Sequence, residues 1–306
     1  MGPVRKFTAS DADLVVDRVE QRLRLDASRN PLVNPLLDRE LLRHSLCAAP
    51  DPSWVFDRSG AIDGHLYGAL LADSSALSVW TGPDGVSFDT SDVLAGLVEC
   101  ATAVWKARGA REHFVWCLSE PSRVEHWTEL GYTLFSARGA IRLQERPPRP
   151  LPAGYSLRRG RISDFERAVE LDAVLDAAQG IDARLMSRIE REKNREELQS
   201  TLLDPETHHY VVEHEHHVIA QCVTFPTPPR RGSFNNTLFV SEVVVEPRHQ
   251  RLGISSAMLD VALDNARTQG FEFAETQWRS SNLGATLHWL SYGFQPTYVR
   301  LRRALD

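Results

Sequence analysis

The chain has 306 residues, 42% of them hydrophobic and 25% charged, with a formal net charge of −6. That length suits two domains of about 100–200 residues each, and the composition is that of a folded globular protein rather than a disordered one. The acidic balance argues against a broad basic footprint for nucleic acid and favours small cationic or amine partners.

The N-terminal "MGPVRKFTASDAD" has no hydrophobic signal core. No apolar run in the chain reaches the roughly 18 residues of a membrane span. A cytoplasmic protein with no membrane partner is therefore expected. Residues 4–14, "VRKFTASDADL", predict a short strand, a Ser/Asp helix cap and a helix. In "TGPDGVSFDTSDVLAGL" (81–97), Asp84, Asp89 and Asp92 surround a helix start. Gly109 ends a helix ahead of the strand "HFVWCL" (113–118), and "HWTELGY" (126–132) ends the next one at a glycine cap. Cys100 and Cys117 lie in apolar segments and are expected to be buried thiols. With Cys47 and Cys222 they form no C-x-x-C pair, so neither a zinc ribbon nor a redox pair is indicated.

"QERPPRPLPAG" (144–154) contains four prolines and reads as a linker. It divides the chain into a first domain, 1–146, a Pro-rich linker, 147–153, and a second domain, 154–306. Beyond it the earlier pattern returns. "LRRGRISDFERA" (157–168) again predicts strand, cap and helix. "HYVVEHEHHVIAQCVTF" (209–225) predicts a hairpin turning at "EHEHH". Its histidines are read as turn residues, and no metal site is assigned. "LFVSEVVV" (238–245) predicts a strand that stops at Pro247, and "RHQRLGISSAML" (248–259) leads through a basic loop into a helix. Gly270 precedes the strand "FEFAETQW" (271–278), and "HWLSYGF" (288–294) repeats the His-Trp pair 162 residues later. Four such matches in one order indicate a duplicated fold. Alternating strands and helices predict an α/β class, each half a mixed, mostly antiparallel sheet flanked by helices.

Three readings compete for "RHQRLGISSAML". A dinucleotide site needs G-x-G-x-x-G, and here Gly253 stands alone. A helix-turn-helix needs a helix before the turn, whereas "LFVSEVVV" is β-branched and continuous; the following helix also carries Asp260 and Asp264, which repel a phosphate backbone. A phosphate cradle fits every part. Loop N–H groups form a nest, the helix N-terminus adds its dipole, Gly253 keeps the approach clear, and Arg248 and Arg251 add positive charge.

Gln250-x-x-Gly253-x-Ser255 resembles the Q/R-x-x-G-x-G/A motif of the GNAT superfamily of acyl-CoA N-acyltransferases. Asn282, Ala285, Trp289, Gly293 and Phe294 match the family's second element, N-x-x-A followed by an aromatic and G-F, in order and spacing. The clear match covers roughly residues 155–306, and the tandem arrangement is similar to that of mycothiol synthase and related two-domain members. The sequence departs from the pattern where the family usually has a glycine at Arg251, a Gly or Ala at Ser255, and often a thiolate-protonating tyrosine at Trp289.

The resemblance implies two tandem GNAT-like domains, of which the first has lost the cradle, and direct transfer of an acetyl group from acetyl-CoA to a small-molecule primary amine. It leaves open a protein or peptide amine, a longer acyl chain, or a non-catalytic acyl-CoA-binding module, and a monomer or homodimer. Implied cofactor contacts are Val243, Val244 and Val245 for the pantetheine, Gln250, Arg251, Leu252, Gly253, Ile254, Ser255 and Ser256 for the pyrophosphate, and Asn282 and Trp289 along the last helix. Glu242, the charged residue inside the apolar strand, is the expected general base, since burial raises a carboxyl into a useful range. Tyr292 is the candidate acid in place of the missing tyrosine, with core packing as the competing role.

Overall fold

The computed structural model describes residues 3–48, 53–72, 77–180, 188–227 and 231–305. The chain forms two compact units: Met1–Arg138 with Arg230–Phe234 and Pro296–Asp306, and Gly139–Pro229 with Asn235–Gln295.

The first unit runs β1 (Val4–Lys6), α1 (Ala12–Arg29), α2 (Arg39–Ala48), β2 (Trp54–Arg58), β3 (Ala61–Leu66), β4 (Ala69–Ala72), β5 (Leu77–Thr81), β6 (Val86–Phe88), α3 (Ser91–Ala107), β7 (Ala110–Leu118), α4 (Pro121–Thr128) and the start of β8 (Thr133–Arg142). Helix α1 forms because Val15, Val16, Val19 and Leu23 recur at helical spacing, and it buries them against Leu42 and Leu46 of α2 and Val55 and Ile62 of the sheet. Each such side chain contributes about 1.5–3 kcal/mol of burial. Strands β1, β2, β3 and β6 pair antiparallel in that order. Strand β5 pairs antiparallel with β4 and parallel with β7. Cys117 is buried, but Cys100 is exposed, contrary to expectation: it lies outside the inward stripe of α3 made by Val93, Leu94, Leu97, Val98, Ala101 and Trp105.

The second unit runs β9 (Tyr155–Arg159), α5 (Phe165–Ala178), α6 (Arg188–Leu203), β10 (His208–His214), β11 (His217–Pro226), β12 (Thr237–Val245), α7 (Ile254–Thr268), β13 (Phe273–Arg279) and α8 (Leu283–Tyr292). Strand, helices, hairpin, long strand, helix, strand and helix follow in the expected order, but the closing strand expected of this half falls almost wholly in the first unit. Strands β9 to β12 pair antiparallel in sequence order, and β12 pairs parallel with β13. The β10–β11 turn is tight because Glu215 and His216 both take positive φ, 50° and 66°, as a two-residue hairpin of matching twist demands. Leu171 of α5 packs on Val211, Val218 and Val244, fixing this helix across β12. The last strand, β14 (Gln295–Ala304), has residues 296–304 in the first unit, where it pairs antiparallel with β7 from Tyr298↔Leu118 to Ala304↔Glu112.

Duplication is visible inside each unit. Arg5 binds Asp11 and Asp57, and Asp11 accepts from the Thr8 N–H at 2.8 Å. Arg158 binds Asp164 and Glu213, and Asp164 accepts from the Arg161 N–H at 2.8 Å. Trp127 meets Tyr132 edge to plane at 4.9 Å, and Trp289 meets Phe294 likewise at 5.1 Å. Between each pair lies a left-handed glycine, Gly131 at φ 83° and Gly293 at φ 117°, which ends the helix and turns the chain into the next strand. Among the described residues no helix is long and apolar enough to cross a membrane.

Candidate active site

Strand β12 positions the site. It pairs with β13 only from Thr237↔Phe273 to Val240↔Thr276, then runs on to Val245 alongside β11 alone. The backbone from Ser241 to Val245 therefore presents an edge with no β13 partner. Opposite β11, Val240 pairs with Thr224 and Glu242 with Val223, so Ser241 is the extra residue of a β-bulge. A bulge bends the strand, and this one lies where the β12–β13 pairing ends.

Past β12 the chain makes a short 3-10 turn, Pro247–His249, and a loop that enters α7. Gln250 closes the turn by donating its side-chain amide to the Val245 carbonyl at 3.0 Å. Arg251 and Gly253 both take left-handed backbone, φ 63° and 79°. The family glycine replaced by Arg251 thus falls where a glycine is conformationally favoured. A Cβ placed on Gly253 would meet nothing within 4 Å, so the space in front of it is open. The first N–H groups of α7 precede any i−4 carbonyl and, with the helix dipole, favour an anion. No acidic residue stands in that first turn. Arg248 pairs with Glu246 at 3.2 Å, whereas Arg251 makes no ion pair among the described residues.

These elements enclose a cleft of about 510 Å³, within the size range of small-ligand sites. Val243, Val244 and Val245 line it on one side, Gln250, Arg251, Gly253, Ser255 and Ser256 at the loop, and Asn282 and Trp289 on α8. Two expected contacts fall outside the lining. Leu252 turns its side chain toward solvent, and Ile254 is buried as the core anchor of α7, so neither side chain serves the cleft; only their backbone remains available. Asn282 caps α8 by accepting from the Ala285 N–H at 3.0 Å while it lines the cleft. A donor set of free backbone N–H groups, one unpaired Arg and an open strand edge fits the pyrophosphate and amide-rich arm of coenzyme A.

Glu242 lies half-buried on β12. Burial pushes its carboxyl up to about 8, Asp172 and Asp176 of α5 add to the rise, and a 3.0 Å hydrogen bond from the Gln221 amide opposes it. Asp172 is itself raised to about 6 by burial and by Asp176. The i,i+4 spacing of Asp172 and Asp176 carries this negative field, and the sequence reading passed over both. It also passed over His288, which lines the cleft with a buried Nε2 that has no hydrogen-bond partner among the described residues. Burial lowers its pKa, so the ring is held neutral.

Tyr292 is not brought to the cleft. Its hydroxyl donates to the buried Asp260 at 2.8 Å, Arg149 binds the same carboxylate, and Arg146 and Arg149 each stand 5.0 Å from its ring centre. Burial and the Asp260 charge raise its pKa further. The candidate acid is thus a structural anchor that ties the Pro-rich segment to α7 and α8.

Among its described residues the first unit has no equivalent cradle. Only residues 89–90 separate β6 from α3, against 246–253 between β12 and α7. The space beside β6 is filled by Arg22, Phe88, Trp116, Arg123 and Trp127, leaving about 20 Å³, room for a water. Asp89 is held by Arg18, and Asp84 by Arg231.

Residues 175–294 match the sequence pattern of the Acetyltransferase (GNAT) family. The chain is similar in structure to a tandem GNAT protein from the clavulanic acid biosynthesis pathway, solved without AcCoA, with a TM-score of 0.56 and 16% identity over 99% of this chain and 98% of that one. It is also similar to a GCN5-related N-acetyltransferase from Sphaerobacter thermophilus, with a TM-score of 0.64 and 18% identity over 99% of this chain and 95% of that one. No curated protein matches the chain. The structural likenesses carry the tandem fold and do not single out mycothiol synthase.

Proposed function

We propose that this chain, a tandem GNAT protein with the family's acetyltransferase domain at residues 175–294, transfers an acetyl group from acetyl-CoA to the primary amine of a small molecule by direct attack. N-acyl transfer from acyl-CoA is the reaction class of the family that residues 175–294 match. One observation carries the reading. A carboxyl raised to about 8 stands on the same strand whose unpaired edge lines the 510 Å³ cleft.

When bound, acetyl-CoA supplies an activated thioester carbonyl. The loop at 250–256 and the N-terminus of α7 would hold its pyrophosphate, with Arg251 as the unpaired cation. The open backbone of Val243 and Val245 would pair with the pantetheine as a neighbouring strand does. Such placement sets the two reactants side by side, which is itself a large part of the acceleration.

An amine reaches the site as an ammonium and must lose a proton before it can attack. Glu242 takes that proton, directly or through one water, and its raised pKa brings it near that task. Asp172 and Asp176 make the surroundings negative, which favours a cationic acceptor. Trp289 cannot protonate a thiolate near neutral pH, and Tyr292 is engaged with Asp260. Coenzyme A leaves as a tolerable thiolate, and no protein acid is assigned.

The test is a panel of amines, aminoglycosides and peptides assayed for CoA release with wild-type protein and Glu242→Gln. Turnover of a small amine that falls about 100-fold or more in the variant supports the reading. Turnover confined to peptides, or equal in both proteins, contradicts it.

A further inference from the structure

We propose that Gln221 is a positioning residue for Glu242, and that His209 in turn fixes Gln221, so that a buried amide decides which carboxyl oxygen handles the proton. The proposal rests on Glu242 as the acid–base group of the site.

The strand registers put the three side chains on one face of the sheet. Gln221 stands opposite both Val211 and Val244. His209 lies two residues before Val211, and Glu242 two residues before Val244, so both are diagonal neighbours of Gln221. Gln221 is 0% exposed and His209 3%. The Gln221 Nε2 donates to Glu242 Oε2 at 3.0 Å. Among the described residues its Oε1 has no hydrogen-bond partner, and neither ring nitrogen of His209 has one. The ring takes up the space that a side chain at Gly160 would need, since a Cβ there would stand 3.1 Å from it.

Buried polar atoms of this kind are costly unless they serve one another or a ligand. The histidine ring is neutral, because burial lowers its pKa to about 4, and Gln221 is a nearby side chain that opposes that fall. A neutral imidazole offers one donor and one acceptor, whereas a primary amide accepts only at its oxygen and donates only at its nitrogen. With Nε2 toward Glu242, the amide stabilises the carboxylate, and its Oε1 is left as the end that a histidine N–H can steer. The Gln221 donor occupies Oε2, so the proton leaving the ammonium nitrogen forms its new bond to Oε1 of Glu242 as its N–H bond breaks. The amide goes on donating to Oε2, which becomes the carbonyl oxygen of the acid. No redox partner is needed.

The experiment is a 13C NMR titration of protein labelled at glutamate Cδ, with the Glu242 resonance identified by its loss in Glu242→Gln. In wild-type protein its midpoint is expected near 8. In Gln221→Met, which keeps the volume and removes the donor, the midpoint should rise by about one pH unit. Acetyl-CoA affinity should not change, since Gln221 does not line the cleft. An unchanged midpoint overturns the proposal. Should Gln221→Met fail to fold, selective glutamine 15N labelling of wild-type protein decides the matter. The Gln221 side-chain amide must titrate with the Glu242 midpoint, and that titration must vanish in Glu242→Gln; an amide that does not move overturns the proposal. These readouts need no acceptor. They are separate from whether Glu242 is the base, which the turnover of Glu242→Gln decides.

Discussion

Val240 and Glu242, two residues apart on one strand, point to opposite faces of the sheet. Their partners Thr224 and Val223 are adjacent on β11 and so face opposite ways. An unbroken strand would put both side chains on one face. The extra residue, Ser241, turns Glu242 toward α5, where Asp172 and Asp176 lie, and the β13 pairing ends at the same point.

If Glu242 is the base, wild-type kcat/KM for an amine acceptor should rise with pH through about 8, as the carboxyl loses its proton. Glu242→Gln should lower kcat by about 10²–10⁴-fold, abolish that limb and leave acetyl-CoA affinity within about twofold. A pH profile measured with a substrate whose own pKa is well above 9 separates this limb from deprotonation of the amine.

The same carboxyl makes stability depend on pH. Its pKa is raised from 4.5 to about 8 on folding, so between those values the native state holds a proton that the unfolded state has lost. Stability should therefore fall as pH rises from 4.5 through 8 and stay reduced above that. Urea unfolding at pH 6 and pH 9 should show a loss of about 2–3 kcal/mol in wild-type protein, and most of it should be absent in Glu242→Gln.

Arg251 adopts φ 63° without being a glycine. Arg251→Gly should relieve about 1 kcal/mol of left-handed strain, partly offset by the greater chain entropy of glycine. The same change removes the unpaired cation of the cradle and should weaken acetyl-CoA binding by about three- to tenfold. Denaturation and calorimetry read the two effects separately, and they have opposite signs.

Tyr292→Phe should leave turnover within about twofold. It should cost about 1–2 kcal/mol of stability, because the buried Asp260 loses one donor while keeping Arg149. Loss of turnover without loss of stability would return Tyr292 to the candidate acids.

Much of this was legible in the sequence because its signals are local. Pro247, Gly253 and the apolar run before them mark strand, loop and helix, and the His-Trp repeat marks the duplication. What stayed hidden depends on partners distant in sequence. Tyr292 sits one helical turn from Trp289, yet its environment is set by Asp260 and Arg149. The Ser241 bulge depends on how β11 pairs, which no spacing within "LFVSEVVV" reveals. Gln221 and His209 read as ordinary hairpin polar residues until the register sets them beside Glu242. The aspartates of the first unit pointed toward a lost cradle, but the larger cause is a loop shortened to two residues and a space filled with side chains.

The proposed function depends on a single cofactor cleft, in the second unit. Calorimetric titration with acetyl-CoA tests it most directly, using wild-type protein and Gly253→Asp. Aspartate at that position places a charged side chain in the open space before the loop. One site per chain is expected in the wild type, and in the variant an affinity reduced by at least about 100-fold, with the melting temperature within a few degrees. Two sites per chain, no binding by the wild type, or equal binding by both proteins would contradict it.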